Sequence, residues 1–204
     1  LERFPQDKPV GFALKEYQLG KGLFIDLSLI DSPLFLEAFS LEKANVAPLI
    51  EKAYEANRAR VSSVDELAVE VGKTAETRET PRFLIQRALR VLRVIHKGYS
   101  ALFAKNLSEE LVTPWKEEMG KVIRIGLSQH REEIRQLAAY ALLKAISNSS
   151  PSGFTLLVAF EPNASELSPA TLRVVKDLYK TGLGFLVHDE NENGFAELGK
   201  PTLA

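Results

Sequence analysis

From about residue 40 to residue 147 the chain is written almost wholly in the 3.6-residue period of amphipathic helices. A stretch of that length in one period leaves room only for small sheets at its ends. Asn45 to Val61 carries apolar residues at Leu49, Ile50, Ala53, Tyr54 and Ala56, with Pro48 in the opening turns, where a missing N–H costs least. Ser63-Val64-Asp65-Glu66 matches a capping box, and Gly72 reads as the stop of the helix it opens. Thr113-Pro114 and Ser128 mark later starts. Met119, Val122, Ile123 and Leu127 stand at helical spacing, as do Ile134, Leu137, Ala138, Ala141, Leu142 and Ala145 after Ser128.

The two ends change period. Apolar and polar residues alternate from Ile25 to Leu29, the pattern of a half-buried strand, and Val10 to Tyr17 is its expected partner across a Leu19-Gly20-Lys21-Gly22 turn. Asp31-Ser32-Pro33 then reads as a helix start. Beyond the Asn148–Gly153 loop, Phe154 to Phe160 is a continuous apolar run of strand length. Ser168-Pro169 opens a helix reaching Gly182, and Gly184 to His188 is a second strand. Strand, helix, strand in that order predicts a βαβ unit. The expected class is therefore α+β: an N-terminal β hairpin region (1–31), a mostly helical body (32–147) and a small C-terminal α/β element (148–204) of βαβ-like form.

Among 204 residues, Lys and Arg number 26 against 27 Asp and Glu, so the total charge favours no partner, and attraction to an anion must come from placement. There is no cysteine, which excludes disulfides, thiolate catalysis and cysteine metal sites. No apolar run approaches the roughly 20 residues that span a bilayer, so no membrane is expected, and a soluble, intracellular protein is. The opening LERFPQDKPV lacks the apolar core of a signal peptide, and a chain opening on Leu1 is expected to be a piece of something longer.

The strongest pattern is TPRFLIQRALRVLRVIHKG (80–98). Thr80 is a cap, Pro81 suits the first turn and Gly98 the stop. One face gathers Leu84, Ala88, Val91, Leu92 and Ile95. The opposite face carries Arg82, Gln86, Arg90, Arg93 and Lys97, with Arg87 on its flank and no acid in the helix interior. Three readings compete for Arg82, Arg87, Arg90, Arg93 and Lys97. They form a solvated face partly paired with Glu109, Glu110, Glu117 and Glu118, a track for the phosphates of a nucleic acid, or a docking surface for an acidic protein. The eight residues of KTAETRET separate this helix from its predecessor, long for a DNA-binding helix-turn-helix.

Other constellations are weaker. Asp189, Asn191, Asn193 and Gly194 match the opening of a calcium loop, but Lys200 stands where a bidentate glutamate belongs, and a solvated hairpin turn explains the same residues. His96, His130 and His188 lie far apart, with no zinc-binding spacing. No nucleophile elbow, phosphate loop or dinucleotide fingerprint occurs, so a self-sufficient enzyme is not expected, and neither a catalytic residue nor a cofactor is assigned.

Two fold-level likenesses follow from these residues. EEMGKVIRIGLSQHREEIRQLAAYALLKAIS (117–147) resembles the paired helices of HEAT-type repeats, without a second copy at a fixed period. The order of this helix, a buried strand, a further helix and GLGFLVHDE is similar to the second half of restriction-endonuclease-like folds. Those folds carry E-x-K on the strand ahead of the helix. KVIRIGLSQ has Arg124 and Gly126 there instead, so the resemblance implies a non-catalytic relative. The leading expectation is a non-enzymatic interaction or regulatory module that binds a protein through a helical surface. The alternative is a nucleic-acid-binding protein, on a degenerate endonuclease-like scaffold, acting through the basic helix.

Overall fold

The computed structural model describes residues 13–74, 80–105, 121–127, 129–148, 157–160, 169–180 and 184–187. The described part is mostly helical with small parallel sheets.

Strand β1 (Ala13–Leu19) is the centre of a three-stranded sheet, with β2 (Gly22–Leu23) on one side and β3 (Lys121–Gly126) on the other. Both pairings are parallel, so the expected hairpin is not what forms. Gly20 and Gly22 have φ of 81° and 88°, and Lys21 N donates to Gln18 O at 2.9 Å while Gly20 N donates to Leu23 O at 2.8 Å. Two left-handed residues coil the chain through a compact spiral instead of reversing it. A Cβ on Gly20 would stand 3.0 Å from Leu102 Cδ2, so this turn is also closely covered.

The expected strand from Ile25 to Leu29 is likewise replaced. Ile25 makes an isolated parallel bridge to Phe103, and Leu27–Leu29 is a turn of 3₁₀ helix. Asp26 accepts hydrogen bonds from Ser28 N at 2.9 Å and Ser28 Oγ at 2.7 Å. Short polar side chains that bond the nearby backbone compete with a sheet ladder, and here they win.

Four helices follow: α1 (Ser32–Ala38), α2 (Ala47–Asn57), α3 (Val64–Lys73) and α4 (Arg82–Tyr99). The capping box of α3 is complete. Glu66 N donates to Ser63 Oγ, and Glu66 Oε2 accepts from Ser63 N, Ser62 N and Ser62 Oγ. Gly72 lies inside α3 and Gly98 inside α4, so neither is the expected stop; Gly98 is followed by Tyr99 and a 3₁₀ turn over Ser100–Leu102. Thr80 does not cap α4 either, since Pro81 occupies that position without a side-chain cap. Buried Leu102 and the Tyr99 ring, 5.7 Å from Phe39, draw the end of α4 onward past the glycine.

The segment from Lys121 to Gly126 is strand β3 where helical spacing had been expected, in register with β1 from Ala13↔Lys121 to Gln18↔Gly126. Val122, Ile123 and Ile125 are β-branched and suit a strand, and a long parallel partner was open to them. This removes the first helix of the HEAT-like pair. After it come α5 (Glu132–Asn148), β4 (Leu157–Phe160), α6 (Pro169–Lys180) and β5 (Gly184–Val187). β4 and β5 pair in parallel, Leu157↔Gly184 to Phe160↔Val187, with α6 between them in sequence. The elements follow in the expected order of helix, strand, helix and strand after β3, but β4–β5 and β2–β1–β3 are separate sheets.

One buried cluster joins Phe35, Ile50, Tyr54, Leu67, Ile85 and Leu92 to Ile134 and Leu137 of α5 and to Val175 and Leu178 of α6. Among the described residues, no helix is long and apolar enough to cross a membrane.

Candidate interaction surface

Helix α4 packs along α3 and buries Ile85, Ala88, Leu92 and Ile95. These recur every three or four residues, with Leu84, Leu89 and Val91 partly buried beside them, so the core takes one arc of an 18-residue helix and leaves the other outside. Arg82, Arg87, Arg90, Arg93 and Lys97 are all exposed on that outer arc. Among the described residues, no acid pairs with any of them. Glu109, Glu110, Glu117 and Glu118 lie outside the described residues, as does the Asp189–Gly194 turn with its calcium-like pattern.

The outer arc is not purely cationic. At about 100° per residue, Arg82, Arg93, Lys97 and Arg90 fall within roughly 80° of one another. Phe83 and Val94 come next around the helix, followed by Arg87. Phe83 is 67% exposed and Val94 69%, the two most exposed large apolar side chains among the described residues. The sequence pattern held this signal, because Phe83 and Val94 are 11 residues apart and so nearly eclipsed on a helix, about 16 Å apart along it.

Beside Val94 the surface sinks into an open hollow of about 410 Å³, lined by Phe39, Leu41, Val91, Val94, Ile95 and Tyr99, with Arg90 at its edge. Its floor is set by an aromatic chain. Phe39 lies 5.0 Å from Phe35, 5.7 Å from Tyr99 and 6.5 Å from Phe103, and Phe35 meets Tyr54 edge-on at 5.7 Å. The turn after α1, where Ser40 takes a positive φ of 53°, carries Leu41 across to the hollow. Phe39 and Leu41 are far from α4's basic residues in sequence, and only the fold brings them beside Val94 and Tyr99.

A second depression, of about 550 Å³, is lined by Ser28 and by Glu55 to Arg60. Several of its polar groups are internally engaged. Arg58 Nε donates to Ser28 O at 3.2 Å and Arg58 Nη2 lies 2.5 Å from Asp31 Oδ1. Tyr140 of α5 donates to Asp31 Oδ2. Burial works to raise the Asp31 carboxyl, but the hydrogen bonds from Tyr140 and Arg58 and the Arg58 charge outweigh it and hold Asp31 below its ordinary range. Burial, then the bond to Asp31, pushes the Tyr140 phenol up. With both carboxylate oxygens committed, this cluster is a tie between elements.

His96 and His130 are half-buried in separate elements, and His188 lies outside the described residues. Among the described residues, no group of three His, Asp or Glu side chains converges to hold a metal ion. Comparison with protein-family models, with curated proteins and with solved structures finds no match.

Proposed function

We propose that the protein is a non-enzymatic interaction module whose docking surface is the outer arc of α4 together with the hollow between α4 and the turn after α1. The observation that carries this reading is the exposed Val94, which lines the apolar hollow, together with the exposed Phe83 further along the same helix, both beside the arginines. Exposed apolar patches on a folded surface mark contact sites, and aromatic and arginine side chains are the residues enriched in them. A phosphate track has no use for an exposed valine and an apolar hollow along its edge, whereas a protein segment does.

The reading is tested by selecting displayed peptides on the wild-type protein and counter-screening them on Phe83→Ser/Val94→Ser. Peptides that bind the first and fail on the second support it. If the enriched peptides bind both proteins equally, the docking surface lies elsewhere and the proposal falls.

A further inference from the structure

Resting on that docking reading, we infer that the occupant is an acidic amphipathic helix, laid along α4 with its apolar side chains in the hollow and its carboxylates facing the arginines. Three features of the surface point to it.

The first is charge. Five exposed cations, Arg82, Arg87, Arg90, Arg93 and Lys97, share one helix that contains no acid. None has an acidic partner among the described residues. Because the whole chain is balanced at 26 basic to 27 acidic residues, this is a local excess and not a general property. An acidic partner gains complementarity on this arc, and a basic one meets like charge.

The second is the order of groups around the helix. Arg90 and Lys97 lie on one side of Phe83 and Val94, and Arg87 on the other. Cations therefore stand on both sides of these two apolar side chains, an arrangement that an amphipathic helix with acids beside its apolar stripe complements. Arg suits this position, because its forked donors meet carboxylates while its stem adds apolar cover.

The third is shape. The stripe from Arg82 to Lys97 runs about 22 Å along the axis. A partner helix of roughly 15 residues matches it. The hollow is open beside α4, lined by Leu41 and Phe39 from the α1 side and by Val91, Val94 and Ile95 from α4. This is the layout of helix-in-groove recognition, with anchors at every third or fourth position of the partner.

The test uses three labelled 18-residue synthetic peptides. One is an amphipathic helix with leucines at helical spacing and glutamates elsewhere. The second has lysines for the glutamates. The third has the composition of the first, scrambled so that no apolar face forms. Anisotropy titrations are run at moderate salt on wild type, Arg87→Glu/Arg90→Glu and Phe83→Ser/Val94→Ser, with circular dichroism confirming that each variant is folded. The expected result is that the acidic helix binds at least about tenfold more tightly than either control, and that each double variant weakens it by about tenfold or more. If the lysine peptide binds as well as the acidic one and the serine variant still weakens both, the docking surface stands and the acidic partner is wrong. If the scrambled acidic peptide binds as well, the helical partner is wrong. If the serine variant binds the acidic helix undiminished, the docking reading fails as well.

Discussion

Tyr140 of α5 donates its phenolic hydrogen to Asp31 Oδ2, at the start of α1, bridging 109 residues of sequence. Arg58, at the end of α2, holds the other oxygen of the same carboxylate. One half-exposed side chain thus ties α1, α2 and α5 together. Tyr140→Phe removes the donor and keeps the buried ring, so the expected loss is about 1–2 kcal/mol, reduced from the value for a buried charged bond by the exposure of Asp31. Urea unfolding of the variant checks it.

The same carboxylate gives a pH signature. The folded-state pKa of Asp31 lies below its unfolded value, so its contribution to stability is complete above the unfolded pKa of about 3.9 and disappears as pH falls through the folded pKa. In Tyr140→Phe the folded pKa returns toward the unfolded one, and the acid-induced fall in stability is expected to be shallower. Parallel acid limbs in the two proteins would contradict the assignment.

Asp26 is expected to behave in the opposite sense. Burial raises its carboxyl, and the hydrogen bonds from Ser28 only partly offset this. A raised folded pKa means stability fully present below the unfolded value and lost as pH rises through the folded one. Both Ser28 donors go to Oδ1, which an asparagine retains. Asp26→Asn is therefore expected to equal or exceed wild type in stability at pH 7, whereas Asp26→Ala loses about 1 kcal/mol with its cap. Denaturant midpoints of the two variants separate charge from capping.

The capping box ahead of α3 offers a graded pair. Ser63→Ala removes one bond, that from Glu66 N at 3.3 Å, and is expected to cost about 1 kcal/mol. Glu66→Ala removes the acceptor of Ser62 N and Ser62 Oγ, each at 2.7 Å, as well as of Ser63 N. Ser62 is buried, so its groups are not freely taken up by water, and the larger loss is expected for Glu66→Ala.

On α4 itself, folding and docking are expected to separate cleanly. Leu92 is fully buried, and Leu92→Ala is expected to cost 2–5 kcal/mol, of which the upper half would unfold a marginal protein. Val94, two residues on, is 69% exposed, and Val94→Ser is expected to change stability by no more than about 0.5 kcal/mol. Thermal melts of the two variants make the comparison. A large loss from Val94→Ser would mean that the side chain is holding the fold and is not available to a partner.

Much of this was legible in the residues. Ser63 and Glu66 mark the start of α3, Pro169 opens α6, and the periodicity of α4 shows both its buried arc and its cations. The strands were read less well because their partners are distant. Nothing local to Lys121–Gly126 says that β1 waits for it about a hundred residues upstream, and apolar residues there fit either period. Asp31-Ser32-Pro33 marks the start of α1 as expected, although the Asp31 side chain makes no cap and goes to Arg58 and Tyr140, whereas Asp26, inside the expected strand, caps a 3₁₀ turn with its side chain. The hollow beside α4 was invisible for the same cause, since Phe39, Leu41 and Tyr99 meet only in the folded chain. Phe83 and Val94 could have been found from the helix period alone.

The most direct measurement compares nucleic acid and peptide on one surface. Labelled single-stranded and duplex nucleic acid and the labelled acidic helix are titrated at low and moderate salt against wild type and the charge-neutral Phe83→Ser/Val94→Ser. The account predicts that the peptide remains bound at moderate salt and is weakened about tenfold or more by the serine substitutions. Nucleic acid binding with steep salt dependence, unchanged by those substitutions and abolished by Arg90→Glu/Arg93→Glu, would contradict it and make the arginine stripe a phosphate track.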